Sequence, residues 1–514
     1  MIATRKYDVV ILGAGHNGLV AACYLAKAGK KVLVLEANGE TGGATASVRA
    51  FPEFDANLSR YSYLVSLFPD KIIDDLGLRF ETCSRRVASY TPYRLDGKDQ
   101  GLYVARTWDA ATEASFLALP GGDAEATSWK SFYDEVALFA QRIAPTLLQP
   151  LRTRSALKRE INLDHTWDYL MEHPIGEEIL ARFNNDVVRG VVATDALIGT
   201  FVSMKSMQAN ACFLYHLIGN GTGEWKVPTG GMGALVRELE RMAQSLGVEI
   251  ALNNRATSVR SDEHEVEVTL EHGKVVCAPY LLSNVAPQVL AKLRGAPIPE
   301  SLDGSQLKIN MLLTRLPSLK SGMDPRDAFA GTFHVNERYS QLEAAYTQAL
   351  SGAIPDGLPL ELYCHTLTDP SILSPELQQK GYHTLTLFGL HTPATLFDQH
   401  HDAQRQVAMK AAIDSLNEYL KEPIESLLAR SSDGQPAIEV KTPLDIESAI
   451  GLPRGNIFHR DLAFPFREDD EPPGWGVETD DPRIFICGAG AKRGGGVSGI
   501  PGHNAAKAVL QGAH

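Results

Sequence analysis

The stretch that most constrains the fold is YDVVILGAGHNGLVAACYLAKAGKKVLVLE, residues 7–36. Residues 7–12 form a short apolar run, which is typical of a buried parallel strand. Apolar residues at helical spacing follow as far as Gly29, and glycine commonly ends a helix. A second apolar run covers residues 31–36. A strand, a helix and another strand in this order predict a βαβ unit, and therefore a parallel sheet.

Three glycines in the pattern GxGxxG join the first strand to the helix. Gly13 permits a tight turn, Gly15 lets the backbone approach a pyrophosphate, and Gly18 lets the helix pack closely on the strand. The helix N-terminus presents free N–H groups and a positive dipole end to phosphates. Glu36 ends the second strand, where a carboxylate can accept hydrogen bonds from a ribose. Together these features predict a dinucleotide site.

A second glycine turn favours FAD over NAD as the dinucleotide. Gly42 and Gly43 follow Glu36 by six and seven residues and lead into ATAS, which brings more backbone close to the same diphosphate. This arrangement resembles FAD-binding enzymes of the glutathione-reductase and amine-oxidase type. The six cysteines contain no CxxC pair, so dithiol chemistry and a disulfide framework are not expected.

Composition and charge limit the kinds of partner that this protein is expected to bind. The formal net charge is −13, which argues against nucleic acid because phosphate neutralisation needs a basic surface. The apolar run near the N-terminus is too short for a signal peptide, and no uncharged apolar stretch is long enough to span a membrane. We expect a cytoplasmic protein without a transmembrane segment. Peripheral contact with a membrane stays open.

The end of the chain carries a second glycine-rich motif, CGAGAKRGGGVSGIPGHNAAKAVL, residues 487–510. A short apolar run at residues 484–487 predicts a buried strand before it, and an amphipathic helix is predicted after Pro501. Helical patterns fill residues 128–192, and β patterns with a helix at 234–245 fill residues 225–316. The whole chain therefore has the pattern of an α/β protein.

Three segments resemble the phytoene desaturase-type FAD-dependent oxidoreductases: GAGHNGLVAACYLAKAGKKVLVLE with GGATAS, WKVPTGGMGALV, and ICGAGAKRGGGVSGIPGHNAA. The nearest branch is the group of pyridine nucleotide-disulfide oxidoreductase domain-containing protein 2. The resemblance implies a Rossmann-like FAD-binding lobe built from discontinuous segments and an α+β substrate-binding lobe with a helical section. We assign residues 1–70, 222–300 and 450–514 to the FAD lobe, and residues 71–221 and 301–449 to the substrate lobe.

The resemblance also implies a set of cofactor contacts by motif position. The first glycine motif would surround the pyrophosphate, Glu36 would bind the adenosine ribose, and the last motif would reach the ribityl chain and the flavin edge. The implied cofactor-binding residues are Gly13, Ala14, Gly15, His16, Asn17, Gly18, Glu36, Gly43, Ala44, Thr45, Ala256, Gly490, Ala491, Val497 and Ser498.

The expected function is hydride transfer between a carbon of a largely apolar small substrate and flavin N5. Reduced flavin carries negative charge near N1, which the final helix N-terminus would stabilise, and the glycines would let backbone lie against the ring. Oxygen, a quinone or another acceptor would take the electrons. A flavin amine oxidase and an FAD-bearing interaction protein without turnover are the alternatives.

Catalytic residues are not evident, and six side chains are weak candidates. Lys492 and Arg493 stand where the branch usually has a His-Pro type pair; they are either cations near the flavin or a solvated loop tip. His459 is either an acid–base group or a hydrogen-bonded structural histidine. Lys308 alternates with apolar neighbours in a predicted strand, so it either lines the pocket floor or faces solvent.

The other two candidates are Tyr61 and Tyr63, which follow the first motif and either border the substrate or pack in the core. His391, His400 and His401 are the nearest approach to a metal motif. Their spacing matches no ligand pattern, so no metal is expected.

Overall fold

The computed structural model describes residues 7–219, 221 and 224–512. Residues 1–6, which hold the basic N-terminal start, lie outside the described residues. So do residues 222–223 and 513–514, at edges of the predicted FAD lobe. The lobe boundaries assigned from the sequence stay a prediction.

The described chain alternates between strands and helices. The strands are β1 (Val9–Leu12), β2 (Val32–Leu35), β3 (Ser47–Val48), β4 (Leu58–Ser59), β5 (Thr82–Ser84), β6 (Val87–Leu95), β7 (Lys98–Ala105), β8 (Lys226–Pro228), β9 (Glu249–Ala251), β10 (Ala256–Ser261), β11 (Val266–Leu270), β12 (Val275–Ala278), β13 (Tyr280–Ser283), β14 (Ser305–Leu313), β15 (Thr332–Val335), β16 (Leu360–Tyr363), β17 (His383–Pro393), β18 (Ile438–Lys441) and β19 (Ile484–Ile486). The helices are α1 (His16–Lys27), α2 (Asp70–Leu76), α3 (Ala110–Leu117), α4 (Gly122–Ile143), α5 (Arg154–Ile161), α6 (Asp164–Met171), α7 (Ile175–Arg182), α8 (Asp186–Thr194), α9 (Met207–Ile218), α10 (Met232–Ser245), α11 (Pro287–Arg294), α12 (Pro325–Ala328), α13 (Tyr339–Leu350), α14 (Pro375–Gln379), α15 (His401–Asn417), α16 (Pro443–Ile450) and α17 (Ile500–Gly512).

The predicted βαβ unit forms the centre of a parallel sheet. Within the described residues this sheet has the strand order β19-β13-β1-β2-β9, and every pairing in it is parallel. Val9 on β1 is in register with Val32 on one side and Tyr280 on the other. Because the chain leaves β1 toward β2 and later returns to its other side, the crevice beyond the carboxyl end of β1 is a topological switch point, where open parallel sheets bind ligands.

Helices cover one face of the parallel sheet with an apolar layer. Helices α1, α10 and α17 share a buried cluster with β1 and β2, which includes Leu19, Leu235 and Val509. The small sheet β10-β11-β12 packs its own apolar side chains on the opposite face. The sheet therefore joins segments from the beginning, the middle and the end of the chain, as the sequence predicts.

A larger sheet and a helical section form the second lobe. The sheet has the order β18-β14-β17-β16-β15-β6-β7 in the described chain and is antiparallel except where β15 meets β6. Helices α3–α9 build the predicted helical section, with Trp167 and Phe213 fully buried among them. The structure thus has the predicted two-lobe α/β architecture. Among the described residues, no helix is both long enough and apolar enough to cross a bilayer.

Arg493 connects the last glycine motif to the helical section. Its guanidinium donates to the carbonyl oxygens of Thr146 at 3.0 Å, Gln149 at 2.5 Å and Trp475 at 2.8 Å, and the residue is 2% exposed. The solvated loop tip that we considered for this position is therefore wrong for Arg493. Its neighbour Lys492 forms an ion pair with a half-exposed carboxylate.

We expect Arg493→Met to lower the free energy of unfolding by about 3 kcal/mol, because three buried carbonyls would lose a charged donor. The matched control is Lys492→Met, which breaks only the 2.6 Å pair with Glu471 and should cost less than about 1 kcal/mol. Chemical denaturation of both variants measures the difference. Equal stability of the two would show that Arg493 does not hold the lobes together.

Candidate functional site

A cavity, which we call the first cavity, opens at the switch point of the parallel sheet. It has a volume of about 470 Å³ and meets the carboxyl ends of three parallel strands, at Gly13 after β1, Glu36 after β2 and Asn284 after β13. Residues 447–452 and Gly496 complete its walls from the far end of the chain. Both glycine motifs therefore contribute to one cavity.

The first motif needs glycine because the backbone is crowded. A Cβ on Gly18 would lie 2.3 Å from the Gly13 carbonyl oxygen, and a Cβ on Gly15 would lie 2.8 Å from Asn284 Nδ2. Gly13 has φ +93°, a conformation that side chains rarely adopt. Helix α1 can therefore start directly against β1, with its N-terminus at the cavity.

Glu36 joins the two predicted glycine turns. Its Oε2 accepts the Ala14 N–H at 2.8 Å, and its Oε1 accepts the Asn38 N–H at 2.9 Å. The Ala14 carbonyl in turn accepts the Gly42 N–H at 2.9 Å, which brings the second glycine turn beside the first. Each carboxylate oxygen keeps another lone pair, so Glu36 can still accept from a ligand hydroxyl at the cavity wall.

Two histidines, His16 and His459, line the same cavity. His16 Nδ1 lies 2.9 Å from Thr45 Oγ1, and its Nε2 is buried without a partner in the described structure. His459 lines the cavity as well, with its Nδ1 also buried and unpartnered there. Burial lowers the pKa of both His16 and His459 to about 4. Both rings are therefore neutral at physiological pH, and each offers a polar nitrogen to a ligand.

Tyr61 and Tyr63 occupy different positions. Tyr61 lines the cavity and its hydroxyl is buried without a partner among the described residues, while burial raises its pKa. Tyr63 is buried one layer further in and accepts a hydrogen bond from Lys308 Nζ. Tyr63 also packs against Tyr363, with ring centroids 5.2 Å apart.

Lys308 is buried in the large sheet. It is 1% exposed, and its Nζ lies 3.9 Å from the Tyr63 ring centroid and 4.5 Å from that of Phe388. Burial holds the pKa of this amine well below its usual value. The solvent-facing alternative for Lys308 is therefore wrong. The alternation of Lys308 with apolar neighbours did not indicate which face of the strand is exposed, because both faces of β14 are covered.

Most glycines of the last motif pack against protein atoms and do not line the cavity. Gly496 lines the cavity, but a Cβ on most of the other glycines would clash within the fold. Crowding within the fold is therefore a sufficient reason for glycine at these positions, and close approach to a flavin ring stays a prediction. The closest atoms to an added Cβ are the Asn284 carbonyl oxygen at 2.7 Å for Gly488, Pro287 Cδ at 2.6 Å for Gly490, the Ala489 carbonyl oxygen at 1.9 Å for Gly494 and the Asn17 carbonyl oxygen at 2.1 Å for Gly502.

Most of the predicted cofactor residues border the cavity. Those in its wall are Gly13, Gly15, His16, Asn17, Glu36, Gly43, Ala44, Thr45, Ala256 and Val497. The other five, which stand behind the wall or beside it, are Ala14, Gly18, Gly490, Ala491 and Ser498. Sequence reasoning missed the wall residues Asn38, Asn254, Arg255 and Asn284 and the segment 447–452.

A second group of polar residues was also missed. His334, Glu337 and Glu361 are buried in the substrate lobe with ligand-type atoms within 4.8 Å of one another. His334 and Glu337 are three residues apart, but Glu361 comes from the next strand of the sheet, β16. No local pattern signals the group, because its third member is distant in sequence.

The first cavity fits an extended FAD. Its crowded glycine turn presents bare backbone, Glu36 offers carboxylate oxygens, and His16, His459 and Tyr61 present unpartnered polar atoms. A ligand with a ribose, a diphosphate and a polar ring system matches that set of groups.

Comparisons with known proteins agree with this fit. The family model described as flavin containing amine oxidoreductase matches residues 18–308. A Mycobacterium tuberculosis protein described as uncharacterised is 46% identical, covering 98% of this chain and 97% of its own length. Pyridine nucleotide-disulfide oxidoreductase domain-containing protein 2 of Mus musculus is 30% identical, covering 98% of this chain and 94% of its own length.

A solved structure supports the architecture. A putrescine oxidase studied for redesign of its cofactor binding superposes with a TM-score of 0.59 at 18% identity, covering 99% of this chain and 98% of that one. At this identity the match shows the fold alone. The resemblance to the phytoene desaturase-type branch is confirmed by the full-length relatives, and the chain therefore belongs to the flavin-containing amine oxidoreductase family and is an FAD-dependent oxidoreductase.

Proposed function

We propose that this oxidoreductase transfers a hydride between a carbon of a largely apolar small organic substrate and flavin N5. The observation that carries the proposal is that one cavity contains Glu36, both glycine motifs and His459, and that Tyr61 and Ser62 in its wall lead directly to the buried ring of Tyr63. Oxygen or a quinone would serve as electron acceptor.

The residues of the first cavity would hold the cofactor in an extended pose. Glu36 would accept hydrogen bonds from the adenosine ribose, and the N-terminus of α1 would face the diphosphate with bare backbone at Gly15. Thr45 and His16 would bind further along the chain of the cofactor. Once bound, FAD supplies a two-electron acceptor at N5.

The surroundings of the reacting end would exclude water and keep protons in place. Tyr63, Tyr363 and Phe388 form a buried aromatic wall around the Lys308 amine. His459 is neutral, so it can accept or donate a hydrogen bond at a ring nitrogen without placing a charge in the cavity. Hydride transfer from carbon depends more on position than on acid–base help, and such a wall fixes position.

A flavin amine oxidase is the second candidate. The family description and the buried ring pair of Tyr63 and Tyr363, tilted by 41°, favour it. An amine oxidase would turn over primary or secondary amines. The third hypothesis, a catalytically idle interaction protein, disagrees with membership of an oxidoreductase family.

The purified protein should be yellow because it contains oxidised flavin, which absorbs at roughly 450 nm. Anaerobic mixing with a substrate should bleach this absorbance, since hydride transfer reduces the ring. The panel contains polyenes, alcohols, enones and amines of matched carbon number. We expect bleaching by members of the first three classes. Bleaching by amines alone would replace the proposal by the amine oxidase.

Replacing Glu36 should weaken FAD retention. We expect Glu36→Gln to raise the Kd for FAD by about tenfold or more, because a charged acceptor for the ribose is lost while the shape is kept. Glu40→Gln is the matched control, since Glu40 is exposed and outside the cavity wall. FAD titration of the apoproteins measures both constants, and thermal melts show whether each variant is folded. Unchanged affinity in a folded Glu36→Gln protein would contradict the assigned contact.

A further inference from the structure

A second cavity of about 330 Å³ lies in the substrate lobe, between the large sheet and the helical section. One wall is apolar and aromatic, with Trp129, Tyr133 and Val136 from α4. The opposite wall contains Arg85, which precedes β6, and polar side chains from neighbouring strands. A volume of this size and a wall of this mixture are typical of small-molecule sites.

Arg85 has few partners for a buried guanidinium. The residue is 8% exposed, its Nη1 donates to Thr332 Oγ1 at 3.3 Å, and its Nε is buried without a partner in the described structure. The guanidinium stacks on Trp225, 4.4 Å from the ring centroid. Burial lowers the pKa of Arg85 to about 10, so the group is still charged at neutral pH. Most of its five N–H donors are thus left for something in the cavity.

The nearby acids do not neutralise this cation. Asp195 and Glu361 line the same cavity, but no carboxylate oxygen of the described residues lies within 4.0 Å of the Arg85 guanidinium nitrogens. Glu361 accepts hydrogen bonds from Thr194 at 3.2 Å and from Tyr363. Burial raises the pKa of Asp195 to about 8 and that of Glu361 to about 7. Near neutral pH, Asp195 is protonated and can donate a hydrogen bond rather than cancel the charge.

We propose that the second cavity binds the carboxylate of an otherwise apolar substrate, with Arg85 as the receptor of that carboxylate. A buried guanidinium with free donors is stabilised by a planar, bidentate anion, and carboxylate has that geometry. The apolar wall on α4 would hold the rest of the ligand. The inference rests on the proposed oxidoreductase function, because it names the substrate class of the same enzyme.

A metal ion is the competing occupant of this region. His334, Glu337 and Glu361 offer ligand atoms, and both oxygens of Glu337 are buried without partners among the described residues. Burial, with a smaller contribution from the positive charge of Arg85, lowers the pKa of His334 to about 3. A divalent cation would face that charge at short range, whereas an anion would be attracted by it.

The second cavity is linked to the first by aromatic rings. Trp225 lines the second cavity and stacks on Tyr363, with ring centroids 6.2 Å apart and planes at 17°. Tyr363 contacts Tyr63, which follows directly on Tyr61 and Ser62 in the wall of the first cavity. A substrate anchored at Arg85 would therefore lie against this ring cluster, which adjoins the first cavity at Tyr61 and Ser62.

Calorimetric titration of the FAD-loaded protein with 3-phenylpropanoate tests the proposal. The matched probes are 3-phenylpropan-1-ol and 3-phenylpropylamine, which keep the apolar body and change only the charge. We expect the carboxylate to bind at least about tenfold more tightly than the alcohol. This comparison needs only the unmodified protein, so it stands even if a variant fails to fold.

Variants test whether Arg85 causes the preference for carboxylate over alcohol. Arg85→Met should reduce the preference for carboxylate over alcohol to within about threefold, and Arg85→Lys should restore part of it because charge returns without the planar fork. Arg94→Met is the control, since Arg94 is outside the cavity wall, is 54% exposed and pairs with Asp99 at 3.1 Å. It should leave carboxylate affinity within about twofold.

Three outcomes would overturn the proposal. They are equal or tighter binding of the amine, a carboxylate preference that persists in folded Arg85→Met, and preferential binding of Zn²⁺ or Mn²⁺ that is lost in Glu337→Gln. Flavin bleaching by uncharged substrates, with no carboxylate preference in calorimetry, would reject the carboxylate receptor and leave the oxidoreductase proposal intact. Carboxylate binding without bleaching by any substrate class would reject the oxidoreductase proposal and leave the carboxylate receptor intact.

Discussion

Close packing around Asn284 is the constraint on which the first cavity depends. Asn284 follows β13, and its N–H donates to the Leu12 carbonyl at 2.9 Å. Its side chain donates to the Gly13 carbonyl at 3.2 Å and lies where side chains on Gly15 or Gly18 would stand. Its own carbonyl oxygen lies against Gly488 from the end of the chain. One residue from the middle of the sequence thus aligns both glycine motifs, and the crevice forms between them.

Single helices and strands could be predicted, because hydrophobic periodicity depends on residues that are close together in the sequence. The strand expected at residues 7–12 is observed as β1 (Val9–Leu12), and the helix expected at residues 234–245 as α10 (Met232–Ser245). Glycine spacing similarly indicated the part of the first cavity wall that the first two glycine turns form, since each glycine of the first motif acts within its own turn. The prediction worked wherever one short segment contained the whole cause of a feature.

Features that join distant segments were not predictable in this way. Arg493 is buried by carbonyls that lie about 345 residues earlier, at Thr146 and Gln149. Arg85, Asp195 and Glu361 share a cavity only because the large sheet and the helical section place them together. In each case the residue type suggests solvent, since charged side chains are usually exposed. Only the topology shows that these charges are buried, and buried charges need partners or ligands.

The two cavities handle charge in different ways. The first cavity keeps its two histidines neutral, and the Glu36 carboxylate in its wall already accepts two backbone N–H groups. The second cavity keeps a charged guanidinium and suppresses the ionisation of an adjacent acid. Burial disfavours every charged form, so an uncompensated Arg85 costs stability unless something offsets it. The Thr332 hydroxyl, the Trp225 ring and the nearby Glu361 offset part of this cost, and the carboxylate of a bound ligand would offset more of it.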